Sequence, residues 1–179
     1  MEHKGFTLWF TGLPCSGKTT IADVLAKDLK ERGMKVERLD GDIVRKSLTR
    51  DLGFSKEDRQ MNIERVTFVS KLLTRNGVAV LCTFVSPYNV IRRESRKEIG
   101  EYILVYVKAS PEECAERDVK GMWAKAKAGE IKNFTGYDDP FEEPDNAQIV
   151  VDTEKETVEE SKQIILDWLD KNGYLPNNQ

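Results

Sequence analysis

Histidine is almost missing from this chain. Of its 179 residues only His3 is a histidine, and it stands near the N-terminus. A histidine general base and a metal site built on imidazoles are therefore excluded. Cysteine is scarce as well: Cys15, Cys82 and Cys114 are odd in number, widely spaced and without a C-x-x-C pair. That excludes a disulfide framework or a zinc ribbon and fits a reducing, cytoplasmic setting. No apolar run approaches bilayer length, and Met1-Glu2-His3-Lys4-Gly5 leads into the first apolar segment without the core of a signal peptide. Neither a membrane nor a secretory route is expected. Positive charge is not in excess: 28 Lys and Arg stand against 31 Asp and Glu, a net charge of −3. A nucleic-acid partner is not expected on that balance. Internal repeats and linker-like stretches are also absent, so residues 1–179 read as a single domain.

What is present begins at Gly12. Residues Gly12-Leu13-Pro14-Cys15-Ser16-Gly17-Lys18-Thr19 form a complete G-x-x-x-x-G-K-[ST] phosphate-binding loop, followed by Thr20. It sits between an apolar run, 6–11, and an amphipathic stretch beginning at Ile21, the strand–loop–helix context the motif requires. Glycines let successive amides converge on phosphate oxygens, and the following helix N-terminus adds positive potential. Lys18 is placed to reach the β- and γ-phosphates, and the Thr19 hydroxyl to ligate Mg²⁺. A nucleoside triphosphate is the expected ligand.

Apolar runs alternate with helical patterns along the chain, as in a parallel sheet with crossover helices. Strands are expected at 6–11, 35–39, 78–85, 102–108 and 148–152. Helices are expected at 17–32, 56–75, 87–99, 111–117 and 157–172, four of them running into a glycine. On the last, Val158, Ser161, Ile165 and Trp168 share a stripe, with Ile164 and Leu169 beside it. The pattern predicts an α/β fold of the P-loop NTPase type, a three-layer sandwich with helices on both faces of a parallel sheet. Residues 120–144 break the periodicity with three glycines and two prolines, yet carry Trp123, Phe134, Tyr137 and Phe141. An aromatic-rich excursion of that length reads as a lid over the substrates.

Three further groups lie at predicted strand ends or helix starts. Asp40-Gly41-Asp42 ends the second strand; the carboxylates suit Mg²⁺ or an acceptor hydroxyl, or Asp42 could simply cap a helix. Arg45, three residues on, suits an anion. Ser55 is expected to cap the 56–75 helix, with Asp58 completing a capping box. Arg59 and Asn62 share one face there, as a ligand clamp or as ordinary helix polarity. Ser86-Pro87 reads as an N-cap with proline at the first helical position, at the sheet edge where it could also meet a substrate anion. Arg92, Arg93, Arg96 and Lys97 read mostly as a solvated face, with at most one reaching the site. No Asn-Lys-x-Asp guanine reader is present, so a small-molecule kinase fits better than a switch or motor.

Five blocks together resemble the adenylylsulfate kinase (APS kinase) family: 12–20, 39–45, 51–63, 84–88 and 117–136. They span nearly the whole chain, and the last, with Arg117-Asp-Val-Lys-Gly and Lys132-Asn-Phe-Thr-Gly136, is the most specific. The resemblance implies transfer of the ATP γ-phosphate to the 3′-hydroxyl of adenosine 5′-phosphosulfate (APS), giving PAPS and ADP with Mg²⁺ as cofactor. It implies that Gly12 to Thr20 hold ATP and metal, with Asp40 a further metal candidate. Asp42, or Asp40, would align or deprotonate the 3′-hydroxyl. Arg45, Arg59, Asn62, Val85, Ser86, Lys120 and Asn133 would contact APS, and Phe54 and Phe134 would sandwich its adenine. Ser86 takes the position that the family assigns to a phosphoserine, although an oriented hydroxyl can attack in line without one and no general base for Ser86 is evident. The resemblance also implies a homodimer, and the sequence leaves open both action alone and association with an ATP sulfurylase. The chain departs from the family pattern in Pro14-Cys15-Ser16, where Ser-Gly-Ala is usual, and in Met61, Asn89, Met122-Trp123 and Lys127. The competing readings are another phosphate-loop kinase of small molecules and a non-catalytic ATP sensor.

Overall fold

Hydrophobic runs at the expected spacing build one five-stranded sheet: β1 (Phe6–Thr11), β2 (Val36–Asp40), β3 (Ala79–Thr83), β4 (Tyr102–Lys108) and β5 (Ile149–Asp152). The computed structural model describes residues 4–176, so His3 lies outside the described residues. All neighbouring strands are parallel, in the order β2-β3-β1-β4-β5. Every residue of β1 is buried, as a central strand covered on both faces requires. The connecting helices are α1 (Lys18–Glu31), α2 (Gly41–Lys46), α3 (Lys56–Thr74), α4 (Asn89–Ile99), α5 (Pro111–Arg117), α6 (Met122–Lys127) and α7 (Val158–Lys171).

The two sheet faces divide the core. On one, Phe6, Leu8 and Phe10 of β1 meet Ile21, Leu25 and Leu29 of α1 and Ile165, Leu166 and Leu169 of α7. On the other, Trp9 packs with Val80, Cys82 and Leu104 beneath Ile63 and Val66 of α3 and Ile91 and Ile99 of α4. Side chains of this size each contribute about 2 kcal/mol when fully removed from water. A third cluster of Leu13, Cys114, Trp123, Ala126 and Phe134 lies beyond the sheet edge, where the 120–144 segment meets the phosphate loop.

Four expectations change. The short helices α2 and α6 were not expected, because six residues give too few turns for a period to show. The α7 stripe is rotated: Ser161, Ile165, Leu166 and Leu169 face inward, while Val158 and Ile164 are each 37% exposed. Ser55 does cap α3, accepting from the Asp58 amide at 3.0 Å. The Asp58 carboxylate, however, turns to the Gly53 amide (3.0 Å) instead of closing a box. Finally, Ser86 is not an N-cap; α4 starts at Asn89 behind Tyr88. The first amide of α4 is satisfied by Glu142, whose carboxylate accepts from Asn89 N at 2.7 Å. A carboxylate at a helix start serves both the free amides and the macrodipole.

Candidate active site

The phosphate loop leaves the centre of the sheet between β1 and α1. Gly12 is required by close approach: a Cβ there would lie 2.3 Å from the Val107 carbonyl oxygen of β4. Cys15 adopts φ 68°, a left-handed conformation costly for a side-chain-bearing residue, at the position where the family usually has glycine. Thr153 reaches the loop from beyond β5, its hydroxyl donating to Ser16 O at 2.9 Å. Arg117 holds Thr153 in turn, through Oγ1 and the carbonyl, both at 2.9 Å. Lys18 folds back over the loop and donates to Gly12 O (2.9 Å) and Leu13 O (2.7 Å). Lys18 as a whole is only 8% exposed, and burial pushes its pKa down to about 8. Thr20 is exposed at the start of α1.

The two aspartates after β2 part company. Asp40 is the N-cap of α2 and is 8% exposed. Its Oδ2 accepts from the hydroxyls of Thr19 (2.9 Å) and Thr83 (2.7 Å), and its Oδ1 from the Asp42 amide (3.0 Å). Burial alone would raise its pKa; the donors from Thr83, Thr19 and Asp42 outweigh it, and the carboxyl sits below its ordinary value. Asp42 caps nothing. Its side chain is 62% exposed and pairs with Lys120, itself 61% exposed, across the mouth of the site. The Thr19 hydroxyl and Asp40 form a hard oxygen pair beside the phosphate loop, a donor set that suits Mg²⁺ carried by a triphosphate. Among the described residues no group of three or more His, Cys, Asp or Glu side chains could hold a metal by itself.

The other predicted residues form a second arc. Arg45 donates to Gly53 O at 2.9 Å, and its guanidinium lies 4.3 Å from the Phe54 ring centre. Phe54 is 65% exposed, whereas Phe134 is 8% exposed and edge-on to Trp123. The two rings do not stack on each other; Arg59 links the Phe54 carbonyl to that of Asn133, the residue before Phe134. Its Nε donates to Phe54 O (3.0 Å), one amino group to Asn133 O, and the other to Thr135 Oγ1 (3.2 Å) and Asp139 Oδ2 (2.9 Å). Asn62 is buried and accepts from Thr49 Oγ1 at 2.7 Å, which pins the segment between α2 and α3. Asn133, at φ 56°, and Phe134 both donate their amides to Asp138. Val85 O accepts from Thr11 Oγ1 at 2.6 Å. The Ser86 hydroxyl is buried and accepts from Trp9 Nε1 at 3.0 Å.

The basic cluster of α4 is not uniformly solvated. Arg92 is 2% exposed and donates to Ser86 O, Asn89 Oδ1 (2.7 Å) and Glu142 O (2.6 Å). It therefore ties the strand end carrying Ser86 to the tail of the 120–144 segment. That segment also touches the phosphate loop, since Trp123 Nε1 donates to Pro14 O at 3.1 Å. At Gly136 (φ 93°) a Cβ would meet Leu13 at 2.6 Å and Trp123 at 3.0 Å. Sequence reasoning missed Thr83, Asp139 and Thr153, did not single out Arg92 within its basic cluster, and gave Arg117 no separate role. Their partners lie far off in the chain, so spacing carries no trace of them.

Comparison with known proteins agrees with this architecture. A family model described as adenylylsulphate kinase matches residues 4–152. An adenylyl-sulfate kinase of Halothermothrix orenii is 56% identical over 174 residues, 97% of this chain and 94% of that protein. A probable bifunctional SAT/APS kinase of Sorangium cellulosum is 50% identical over 97% of this chain, which covers 30% of its own length. Among solved structures, a Mycobacterium tuberculosis APS kinase in complex with AMPPNP and APS superposes with a TM-score of 0.89. That match has 37% identity and covers 94% of this chain and 99% of that one. By sequence and by fold, the chain belongs to the adenylylsulfate kinase family.

Proposed function

We propose that the protein transfers the γ-phosphoryl group of ATP to the 3′-hydroxyl of APS, with Asp42 as the group that receives or orients the hydroxyl proton. The observation that carries the assignment is the contrast between the two aspartates. Asp40 has three donors already on it, so it serves Thr19 and, through Thr19, the metal. Asp42 is exposed and its one charged partner is the equally exposed Lys120, a surface pair that a substrate can displace at little cost.

The chemistry follows from these positions. Loop amides and Lys18 hold the triphosphate, and Lys18 regains its full charge against the phosphates, stabilising negative charge as it develops. The Thr19 hydroxyl, backed by Asp40, would hold the Mg²⁺ that accompanies ATP, and that ion would supply neutralisation of phosphate charge. The APS adenine enters between Phe54 and Phe134, with Arg59 tying Phe54 O to the neighbouring Asn133 O, and Arg45 with Lys120 meets the phosphosulfate. The bond from O3′ to the γ-phosphorus forms as the bond to the β–γ bridging oxygen breaks. The hydroxyl proton goes to Asp42, and ADP leaves. Residues 120–144 act as the lid that excludes water. Ser86 positions the strand end and takes no phosphoryl group, its hydroxyl being buried against Trp9. We place the enzyme in the cytoplasm, as a homodimer able to associate with ATP sulfurylase; the SAT/APS kinase chain, which joins two such names, supports that association.

The test is turnover with APS, AMP, adenosine and shikimate as acceptors, following ADP and the 3′-phosphorylated product. Turnover with APS alone is expected; none with APS and appreciable rates with another acceptor would overturn the reading.

A further inference from the structure

The edge strand β5 lends a side chain to the phosphate loop without belonging to it. Thr153 follows β5 directly, and its backbone is fixed on both sides. Its amide donates to Lys108 O of β4 at 3.1 Å, and its carbonyl accepts from Arg117 at 2.9 Å. The Thr153 hydroxyl has one hydrogen and two acceptors within reach, Ser16 O at 2.9 Å and Lys108 O at 3.3 Å. Arg117 donates to that same hydroxyl oxygen at 2.9 Å, which occupies a lone pair and leaves the hydrogen to be given away. Glu113 holds Arg117 in its turn, accepting from Nε at 2.9 Å. A relay therefore runs from α5 through Thr153 to one carbonyl of the phosphate loop.

The group that shares a peptide plane with Ser16 O is the Gly17 amide. In a trans peptide the C=O and the following N–H point in opposite directions. Ser16 O is drawn outward to Thr153, so the Gly17 N–H is turned away from β5, toward the hollow of the loop. Among the described residues the amides of Gly17, Lys18 and Thr19 have no protein acceptor, whereas the Ser16 amide is spent on Leu13 O at 3.1 Å. The Thr153 methyl lies beside the same peptide, 3.5 Å from where a Cβ on Gly17 would stand. We infer that Thr153, oriented by Arg117, is a positioning residue for the triphosphate, a role that rests on Gly12 to Thr19 being the ATP site. It acts through the Ser16–Gly17 peptide, holding the Gly17 amide ready for a phosphate oxygen. A loop peptide without that tie is free to turn, and the amide must then be reordered when the ligand arrives. The recognised chemistry is the polyphosphate chain and not the base. The brace also comes from 137 residues beyond the loop, on a strand whose own pairing does not depend on nucleotide.

Inorganic tripolyphosphate, which has the phosphates and no base, is the probe, beside AMPPNP, in titration calorimetry on the full chain. Far-UV circular dichroism confirms that each variant folds. Thr153→Val keeps the shape and the methyl and removes only the hydroxyl. It should weaken both ligands by a similar factor of about tenfold. Thr153→Ser restores the hydroxyl and should return both affinities to within about threefold of wild type. Arg117→Lys keeps the charge but loses the two-pronged grip, so its loss should lie between. Adding Arg117→Lys to Thr153→Val should cost nothing further, because Arg117 acts through the hydroxyl. Unchanged tripolyphosphate binding in Thr153→Val, no rescue by serine, or an additive loss in the double variant would overturn the positioning role while leaving the ATP site standing. A wild-type chain that binds neither ligand would overturn both.

Discussion

Arg59 is the residue whose removal tests the site most sharply. It donates to Phe54 O, Asn133 O, Thr135 and Asp139, and so spans from the start of α3 to residues 133–139 of the lid. Its ion pair with Asp139 is partly screened, the side chains being 18% and 20% exposed. Hydrogen bonds to a charged group contribute about 1.5–3 kcal/mol each in protected sites. Allowing for that exposure and for water replacing some partners, Arg59→Ala should destabilise the ordered 133–139 turn by about 3 kcal/mol. If APS binds only when Phe134 is held opposite Phe54, apparent APS affinity falls by about 100-fold, at 1.4 kcal/mol per tenfold. The triphosphate site shares none of these bonds, so AMPPNP binding should change by less than about threefold, the size of an effect below 0.6 kcal/mol. Arg59→Lys should lie between, because a lysine keeps the charge but cannot reach four acceptors at once. The assays are APS KM, AMPPNP titration calorimetry and amide hydrogen exchange at Asn133 and Phe134. Equal losses in both substrates, or unchanged exchange at those amides, would refute the argument.

Asp40, Asp42 and Lys18 each supply a further test of the same geometry. Asp42→Ala should leave unfolding within about 0.5 kcal/mol of wild type, since the side chain is exposed, while kcat falls by about 10²–10⁴. Asp40→Ala should lower both, by about 3 kcal/mol in a urea titration, because Thr19, Thr83 and the Asp42 amide lose their acceptor; equal stability of the two variants would show the roles misassigned. Lys18 supplies a pH signature. With its pKa lowered to about 8 in the fold against an ordinary value near 10.5, the unfolded chain binds the extra proton between those values. Stability of the nucleotide-free protein should therefore rise as pH goes from about 8 to 10.5, by roughly 3 kcal/mol at most. AMPPNP binding near pH 8.5 should take up a proton, seen as a dependence of binding enthalpy on buffer ionisation heat; Lys18→Met should abolish both effects.

The sheet and its core were legible because strand burial and helix amphipathicity are local properties, and the phosphate loop because its glycines answer to backbone sterics within eight residues. What was not legible is set by distance along the chain. Ser86-Pro87 has the local form of a helix start, yet Glu142 takes the capping role from 53 residues away. Arg92 belongs to a basic run that reads as solvated, and only the fold of the 120–144 tail buries it. Spacing alone left two readings of Arg59 open, because its partners Thr135 and Asp139 lie more than 70 residues on. For Asp40 and Asp42, two residues apart, no pattern could say which would be consumed by Thr19 and Thr83.

The hydrogen bond from the Trp123 indole to Pro14 O has a thermodynamic meaning beyond packing. It joins a residue of the segment that closes on the acceptor to the loop that grips the donor. If triphosphate binding draws the phosphate loop into the arrangement that this indole recognises, the acceptor site is ordered in the same event. Linkage then requires the favour to be returned: APS must tighten the hold on ATP by the same factor by which ATP tightens the hold on APS. Through one indole, whatever help either substrate gives the other must run equally in both directions, while each intrinsic affinity stays its own.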